Sequence, residues 1–442
     1  MLVNIHTLRR LMLFAFMAVV LAPELHAQVW TLQQCLDTAG EHNKNIMINN
    51  NNVLIGQQRF KEARSGLIPK INLNADYRYY TNLPYQLMPK SAFGGPEGQF
   101  NEVQFGVPHN INANVQVTMP LFNPQVNGAI RTTRIARDIS ELQKQRTAEQ
   151  VYFEVSNAYY NAQILSHQRA FVESNLKNTK TLLSNMQLLK EHLLAKGTDV
   201  DKVALQVEQL TTQRYLIESK YELVVNSLKF LMGVPLETNL QIESEINYGN
   251  GGEYADQTVL DIRLARSQYQ LLESERSTLK NARLPTVSLF GTFGTTGFGY
   301  DKSPNDFLHF HPIGLTGIQL SYPLFNGFST RLKINQKNLE MSNTELQIDL
   351  LTSQNRMQIE NARKQKVIAQ RTLETTSSQI ALAQSIYDQT LVQQKEGTSS
   401  LTDTLLADNA VREAQQSYLA AIIEYLKADL ELKKLTGNIL SK

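Results

Sequence analysis

Apolar and polar residues alternate strictly in two stretches of the chain and less regularly in two more. Ile71, Leu73, Ala75, Tyr77 and Tyr79 alternate with Asn72, Asn74, Asp76 and Arg78, and Ile111, Ala113, Val115, Val117 and Met119 alternate with Asn110, Asn112, Asn114, Gln116 and Thr118. Val287, Leu289, Gly291 and Phe293 repeat the pattern with Phe290 out of step, and Ile318, Leu320 and Tyr322 repeat it with Gln319 and Ser321 between them. A period of two predicts strands at about 70–80, 110–121, 286–294 and 313–324, each with one apolar and one wet face. About ten residues is the length a tilted strand needs to cross a bilayer. The same pattern would suit a sandwich with one buried face, but nothing in the chain supplies a second layer.

Elsewhere the apolar spacing alternates between four and three. Val203, Val207 and Leu210, then Ile217, Tyr221, Val224, Leu228 and Leu231, form an a/d seam interrupted by Arg214. Val411, Ala414, Tyr418, Ala421, Tyr425, Ala428, Leu432 and Leu435 form a second. Such seams predict coiled-coil packing. From about Val126 to Lys196 nothing breaks the helical pattern after Gly128, and Gly327 to Glu396 reads the same way. Roughly 70 residues make a rod of about 105 Å, too long for a compact domain. The expected fold class is therefore mainly α with a small β part. Four strands cannot close a barrel, and an open edge in lipid leaves backbone groups unsatisfied. Two chains would give eight strands with a filled interior; three would give twelve and leave a passage, which is the expected assembly.

The chain is also duplicated. "MPLFN" at Met119 to Asn123 returns as "YPLFN" at Tyr322 to Asn326, and Pro69 pairs with Pro285 at an offset of 216 (285 − 69). Pro120 pairs with Pro323 at 203 (323 − 120), so the first inter-proline segment is 13 residues longer (216 − 203). "KGT" at Lys196 to Thr198 pairs with "EGT" at Glu396 to Thr398 at 200 (396 − 196), and Gly233 with Gly437 at 204 (437 − 233). The expected organisation is a first repeat at 28–240, a linker at 241–254 and a second repeat at 255–442, each a helix, a strand pair and a long helical hairpin. The 13 extra residues fall in Asn82 to Val107, which carries Pro84, Pro89, Pro96 and "GGPEG" and reads as an exposed loop.

Arg9 and Arg10 before the apolar run Leu11 to Ala22, with "LHA" ending at Ala27, predict a signal peptide over 1–27 and hence a compartment beyond the inner membrane. Cys35, the only cysteine, stands away from the new N-terminus, so neither lipidation nor a disulfide is expected. With 43 basic and 41 acidic residues the chain has no charge bias toward nucleic acid.

A helix beginning "WTLQQCLDTAGEHN", a strand pair closed by "PLFN", a helical hairpin with a "GT" tip, and then the whole again resembles the outer membrane efflux protein family, the TolC-like outer membrane factors. The resemblance implies a homotrimeric conduit with a twelve-stranded barrel in outer membrane lipid and a helical tunnel through the periplasm. It further implies work beside an inner-membrane pump and a periplasmic adaptor, in efflux or secretion. In the family the "PLF" segments mark strand-to-helix exits, here Pro120 and Pro323, and the hairpin tips form a mouth that constricts at rest. Gly197, Thr198, Gly397 and Thr398 would make the tip turns. Asp403 matches an acidic position that lines the constriction, whereas Leu406 stands where a second acid is expected and Ser399 where some members carry arginine. Asp408, or Asp199 and Asp201 at the first tip, could supply charge instead, and a ring of Leu406 could close the mouth by excluding water.

Other chemistry-like features are weak. His309 and His311 have the spacing of a ligand pair with no third ligand apparent. "FGTFGTTGFG" at Phe290 to Gly299 lacks the lysine and helix of a phosphate loop and reads as aromatic strand and loop. Asn49 to Asn52 read as a wetted helix face. No arrangement of nucleophile, base and acid is present, so no enzymatic activity, cofactor or metal is expected. The alternative to a conduit is a non-transport surface or scaffold protein built on the same rods.

Overall fold

A computed structural model describes residues 29–246, 248, 254–299 and 309–440. The expected signal peptide and part of the expected linker lie outside these residues.

The chain starts with a short strand, β1 (Val29–Trp30), followed by α1 (Leu32–His42) and α2 (Lys44–Ser65). Thr31 explains the first start: its hydroxyl accepts from Gln34 N, while the Gln34 side chain accepts from Thr31 N, a reciprocal capping box. Asn43 divides what the sequence reads as one helix. Its Oδ1 accepts from the N–H groups of Asn45 and Ile46, and its Nδ2 donates to Leu231 O at 2.7 Å. Cys35 lies fully buried in α1, where desolvation pushes its thiol up to about 12.

Next come β2 (Lys70–Tyr79), β3 (Tyr85–Pro89), β4 (Phe100–Gln104) and β5 (His109–Phe122). The helical hairpin of α3 (Pro124–Glu191) and α4 (Gly197–Met232) follows, then β6 (Gln241–Ile242), which pairs in parallel with β1. The second half repeats the order with α5 (Leu260–Asn281), β7 (Thr286–Gly299), β8 (His309–Ser321), α6 (Ser329–Lys395) and α7 (Leu401–Leu435). Helices α3 and α6 hold 68 and 67 residues, as the unbroken periodicity predicts.

The strands of the two halves join in one antiparallel sheet of order β2-β5-β7-β8, with β2 and β8 at its edges. Two boundaries move outward, and β8 stops at Ser321 rather than near 324. β7 runs to Gly299 and β8 begins at His309, because the ladder continues through Thr296↔His311 and Phe298↔His309. The glycine-rich stretch from Phe290 is therefore strand throughout, and His311 sits in the ladder, its ring 6.2 Å from that of Phe298. Phe290 breaks the alternation for a visible reason: it pairs with Gly317 and its ring occupies the space a side chain there would fill.

The segment Asn82 to Val107 is more ordered than a plain loop. β3 and β4 form a two-stranded hairpin that joins no other described strand, with Lys90 N donating to Gln99 O at its end. Because no ladder bond leaves the hairpin, deleting Ser91 to Gln99 is expected to leave the four-stranded sheet and oligomer yield unchanged. Loss of the oligomer on a semi-native gel would show that this tip is a packed element.

The chain divides into two compact units, and neither is one repeat. One comprises the described parts of Met1–Asn50, Gln143–Ile262 and Leu351–Lys442; the other comprises Asn51–Leu142 and Arg263–Leu350. In the first, Cys35, Ala39, Ile46, Val155, Tyr159, Leu228 and Met232 form a core, with the Tyr159 hydroxyl donating to Trp30 O. Gln163 Nε2 donates to the carbonyls of Glu243 and Glu245, fastening the chain after β6 onto α3. The predicted seams are inside: Val203, Leu210, Ile217 and Leu228 on α4, and Val411, Ala421, Tyr425 and Leu432 on α7, are all buried. In the second unit, α3 and α5 approach so closely that a Cβ on Gly128 would overlap the Thr278 side chain. Among the described residues no buried side-chain polar atom lacks a partner.

Candidate functional site

Strand register places the residues of the sheet on two chemically distinct faces, because directly paired residues share a face. One face carries the row Leu73–Val115–Phe293–Gly314, flanked by Ile71, Tyr77, Leu289, Ile318 and Leu320. Leu73 is 75 % exposed and Phe293 72 %, so nothing among the described residues covers that face. The opposite face carries the row Asp76–Asn112–Thr296–His311. Asn112 Nδ2 donates to Asp76 Oδ2 at 3.2 Å, Thr296 Oγ1 donates to Asn112 Oδ1 at 3.0 Å, and Arg78 pairs with Asp76 at 2.9 Å. Asn74 Nδ2 donates to Asn114 Oδ1 in the neighbouring row. Asparagine is a poor strand former, and here its amides bond sideways along a wet wall.

The two strand-to-helix passages differ. Pro120 lies inside β5, paired with Ser288 just before a register shift, and α3 starts four residues later at Pro124. Pro323 lies beyond the end of β8. Proline lacks the N–H a ladder needs, which suits both a bulge and a strand end.

At the hairpin tips the structure revises the repeat alignment. Leu193 (φ 63°) and Gly397 (φ 77°) hold the left-handed conformation, 204 residues apart (397 − 193). Leu194 N donates to Leu189 O as Thr398 N donates to Gln393 O, again 204 apart (398 − 194). The "KGT" and "EGT" motifs, matched at 200, are one helical turn out of step. Gly197 and Thr198 open α4, whereas Gly397 and Thr398 lie in the turn, and Leu193 does at the first tip what Gly397 does at the second. The turn bonds define this equivalence, and a three-residue motif match could not reveal it.

On the corrected offset Asp199 and Asp403 are equivalent, each the third residue of its helix. Lys202 Nζ lies 3.2 Å from Asp199. Asp403 closes a capping box: its carboxylate accepts from Ser400 N and Ser400 Oγ, and Ser400 Oγ accepts from Asp403 N. These bonds from Ser400 hold the exposed Asp403 carboxyl below its ordinary value. Leu406, three residues on and 62 % exposed, shares its face. Asp201 is also exposed. Asp408 turns the other way, into the helical unit. Gln206 Nε2 donates to it at 2.5 Å and Arg412 pairs with it at 2.9 Å, so this carboxylate clasps α4 to α7 and is spent on internal bonding. Burial raises its pKa, opposed by Arg412.

One feature of the helices was not read from the sequence. Leu216, Leu223 and Phe230 on α4, and Leu332, Leu339 and Leu346 on α6, recur every seven residues and are all exposed. The heptad signal was present, but its coexistence with a buried seam hid it.

A two-faced sheet with open edges, long paired helices and a twofold internal repeat find their counterparts in known proteins. The outer membrane efflux protein profile matches residues 35–234 and 255–438. The chain belongs to the outer membrane efflux protein family. It is 21 % identical over 403 residues to the outer membrane protein TolC of Salmonella enteritidis, covering 86 % of this chain and 77 % of the relative. Its fold matches VceC of Vibrio cholerae with a TM-score of 0.73 at 15 % identity, over 92 % of this chain and 96 % of that one. It matches the open-state MtrE outer membrane channel of Neisseria gonorrhoeae with a TM-score of 0.71, also at 15 % identity, over 92 % and 89 %. This efflux protein is thus a TolC-like protein of the bacterial outer membrane, with a mainly helical fold and a minor strand part.

Proposed function

We propose that the chain is a passive exit duct: a homotrimer whose twelve strands close a barrel in the outer membrane and whose helices line a periplasmic tunnel. It receives cargo from an inner-membrane pump through a periplasmic adaptor. The observation that carries this reading is the four-stranded sheet itself, with one apolar face, one hydrogen-bonding face and two unpaired edges. In lipid such edges are satisfied only by closure, and a further copy presenting β8 to β2 closes them. The exposed heptad rows on α4 and α6 support the same assembly, since they supply knobs for a neighbouring copy's helices. The polar wall would then face the lumen, and no chemical step is assigned to any residue. Purified oligomer added to planar bilayers is expected to give discrete conductance steps; membrane-inserted oligomer that passes no current would overturn the duct in favour of a scaffold.

In this reading the exposed face shared by Asp403 and Leu406 lines the periplasmic mouth, where three copies of one carboxylate would attract cations. Asparagine can still accept from Ser400, so Asp403→Asn separates charge from capping. Asp403→Asn is expected to weaken block by multivalent cations severalfold without lowering trimer yield, and Leu406→Ser to raise the resting conductance. If only Asp403→Ala has an effect, the residue is a helix cap and the constriction lies elsewhere.

A further inference from the structure

At the end of β8 the lipid-facing row does not stop with the strand. Ile318 and Leu320 are followed at the same spacing by Tyr322 and Leu324, the latter 86 % exposed, in the segment that leads into α6. Phe325 and Phe328 follow, their rings edge to face with centroids 5.3 Å apart, and both are exposed. Phe328 has φ 63°, a conformation that a bulky side chain adopts only under constraint. A tight turn, with Ser329 N donating to Asn326 O, holds it there while the ring stays largely exposed. Beside these rings is a groove of about 350 Å³ that also takes in Arg283, from the turn between α5 and β7, and Arg331, in the first turn of α6. Among the described residues neither guanidinium has a carboxylate partner.

We infer that this groove binds the phosphodiester headgroup of a phospholipid of the periplasmic leaflet, Arg283 and Arg331 holding the phosphate while Tyr322, Leu324, Phe325 and Phe328 lie against the acyl chains. The inference rests on the reading that the strands span the outer membrane. That reading puts the strand-to-helix junction at the membrane–water boundary, where aromatic side chains settle and basic grooves take headgroups. Two unpaired arginines complement a phosphate, and the apolar row leading into the groove favours a lipid over a free anion.

The test is native mass spectrometry of the detergent-released oligomer titrated with phosphatidylglycerol, with inorganic phosphate as a separate arm. The wild type is expected to retain lipid that phosphate does not displace. At the usual gain per surface basic residue, Arg283→Gln should weaken retention about fivefold and Arg283→Gln with Arg331→Gln about thirtyfold. Equal retention by the double variant, displacement by phosphate, or an assembled wild type that retains no lipid would each overturn the site. Should the double variant fail to assemble, a photoactivatable phosphatidylglycerol on the wild type must label residues 322–331; labelling confined to the strands would contradict the proposal. The same preparation in planar bilayers keeps the two claims apart, since conducting oligomer without retained lipid sinks the site and leaves the channel standing.

Discussion

Phe293→Arg is expected to abolish the assembled protein, whereas Asn74→Arg is expected to leave it intact. The two positions occupy adjacent rows of the sheet, near the middle of the strands, and differ only in the face they share. An arginine on the lipid side of a barrel near the bilayer midplane costs about 2–4 kcal/mol per chain, while a lumen-facing one remains in water. In the proposed trimer three chains carry the substitution together, so the loss multiplies. Urea titration of refolded protein in vesicles measures it, and Asn74→Arg should appear instead as a shift of reversal potential toward anions. Equal damage from both substitutions would mean that the sheet has no wet side.

The second large effect is expected at the clasp between α4 and α7. Asp408→Ala leaves Gln206 without its acceptor and Arg412 with only the neutral Asn409 amide oxygen, in a site where the two charged side chains are only 11 % and 20 % exposed. Removing one member of a buried pair costs about 3 kcal/mol at the lower end of the usual range, appropriate to this slight exposure. Thermal unfolding of the helical unit should shift down accordingly, and the loosened hairpins should raise the open probability of single channels. The pH dependence has a definite sign. Burial lifts the folded pKa of Asp408 above its ordinary 3.8, so the folded state holds the proton longer than the unfolded one. The stabilisation this residue contributes is therefore complete below 3.8 and declines as pH rises through the folded value. Asp403 behaves oppositely: its lowered pKa contributes stability above the ordinary value that is lost as pH falls through the folded one. Glu149, whose pKa burial also raises, contributes a slope of the same sign, so Asp408→Asn should reduce the first slope and leave the second. If the slope is undiminished in Asp408→Asn, Asp408 does not carry it.

Periodicity revealed most of this architecture because each element is long and obeys one rule throughout. Val203 to Leu231 and Val411 to Leu435 keep their faces over many turns, and the Asn-rich strands alternate without error. The misreadings fall where a local bond overrides the pattern. Asn43 splits α1 from α2 by giving its side chain to the backbone of the next turn, and the ladder takes in the glycine-rich end of β7, where the Phe310 ring of β8 covers Gly297. At the tips, a motif match misled where backbone conformation decides: a leucine at φ 63° does the work for which a glycine was expected. Composition could not show that Asp408 is internal, because inward and outward carboxylates differ only in what they meet. The compact units were equally illegible, since pairing of β5 with β7 interleaves two halves that the repeat keeps apart.

The claim on which the rest depends is that β2 of one copy meets β8 of the next, three times around. Cys35, the only native cysteine, is fully buried with a thiol raised to about 12, and will not interfere with engineered pairs. The decisive measurement combines Asn74→Cys with Ile313→Cys, Leu315→Cys or Gly317→Cys, all on the polar face, and oxidises the assembled protein before denaturing electrophoresis. A ladder that ends at covalent trimer is the predicted result. A ladder that stops at dimer, or the absence of any interchain bond in the whole panel from an assembled sample, would contradict it.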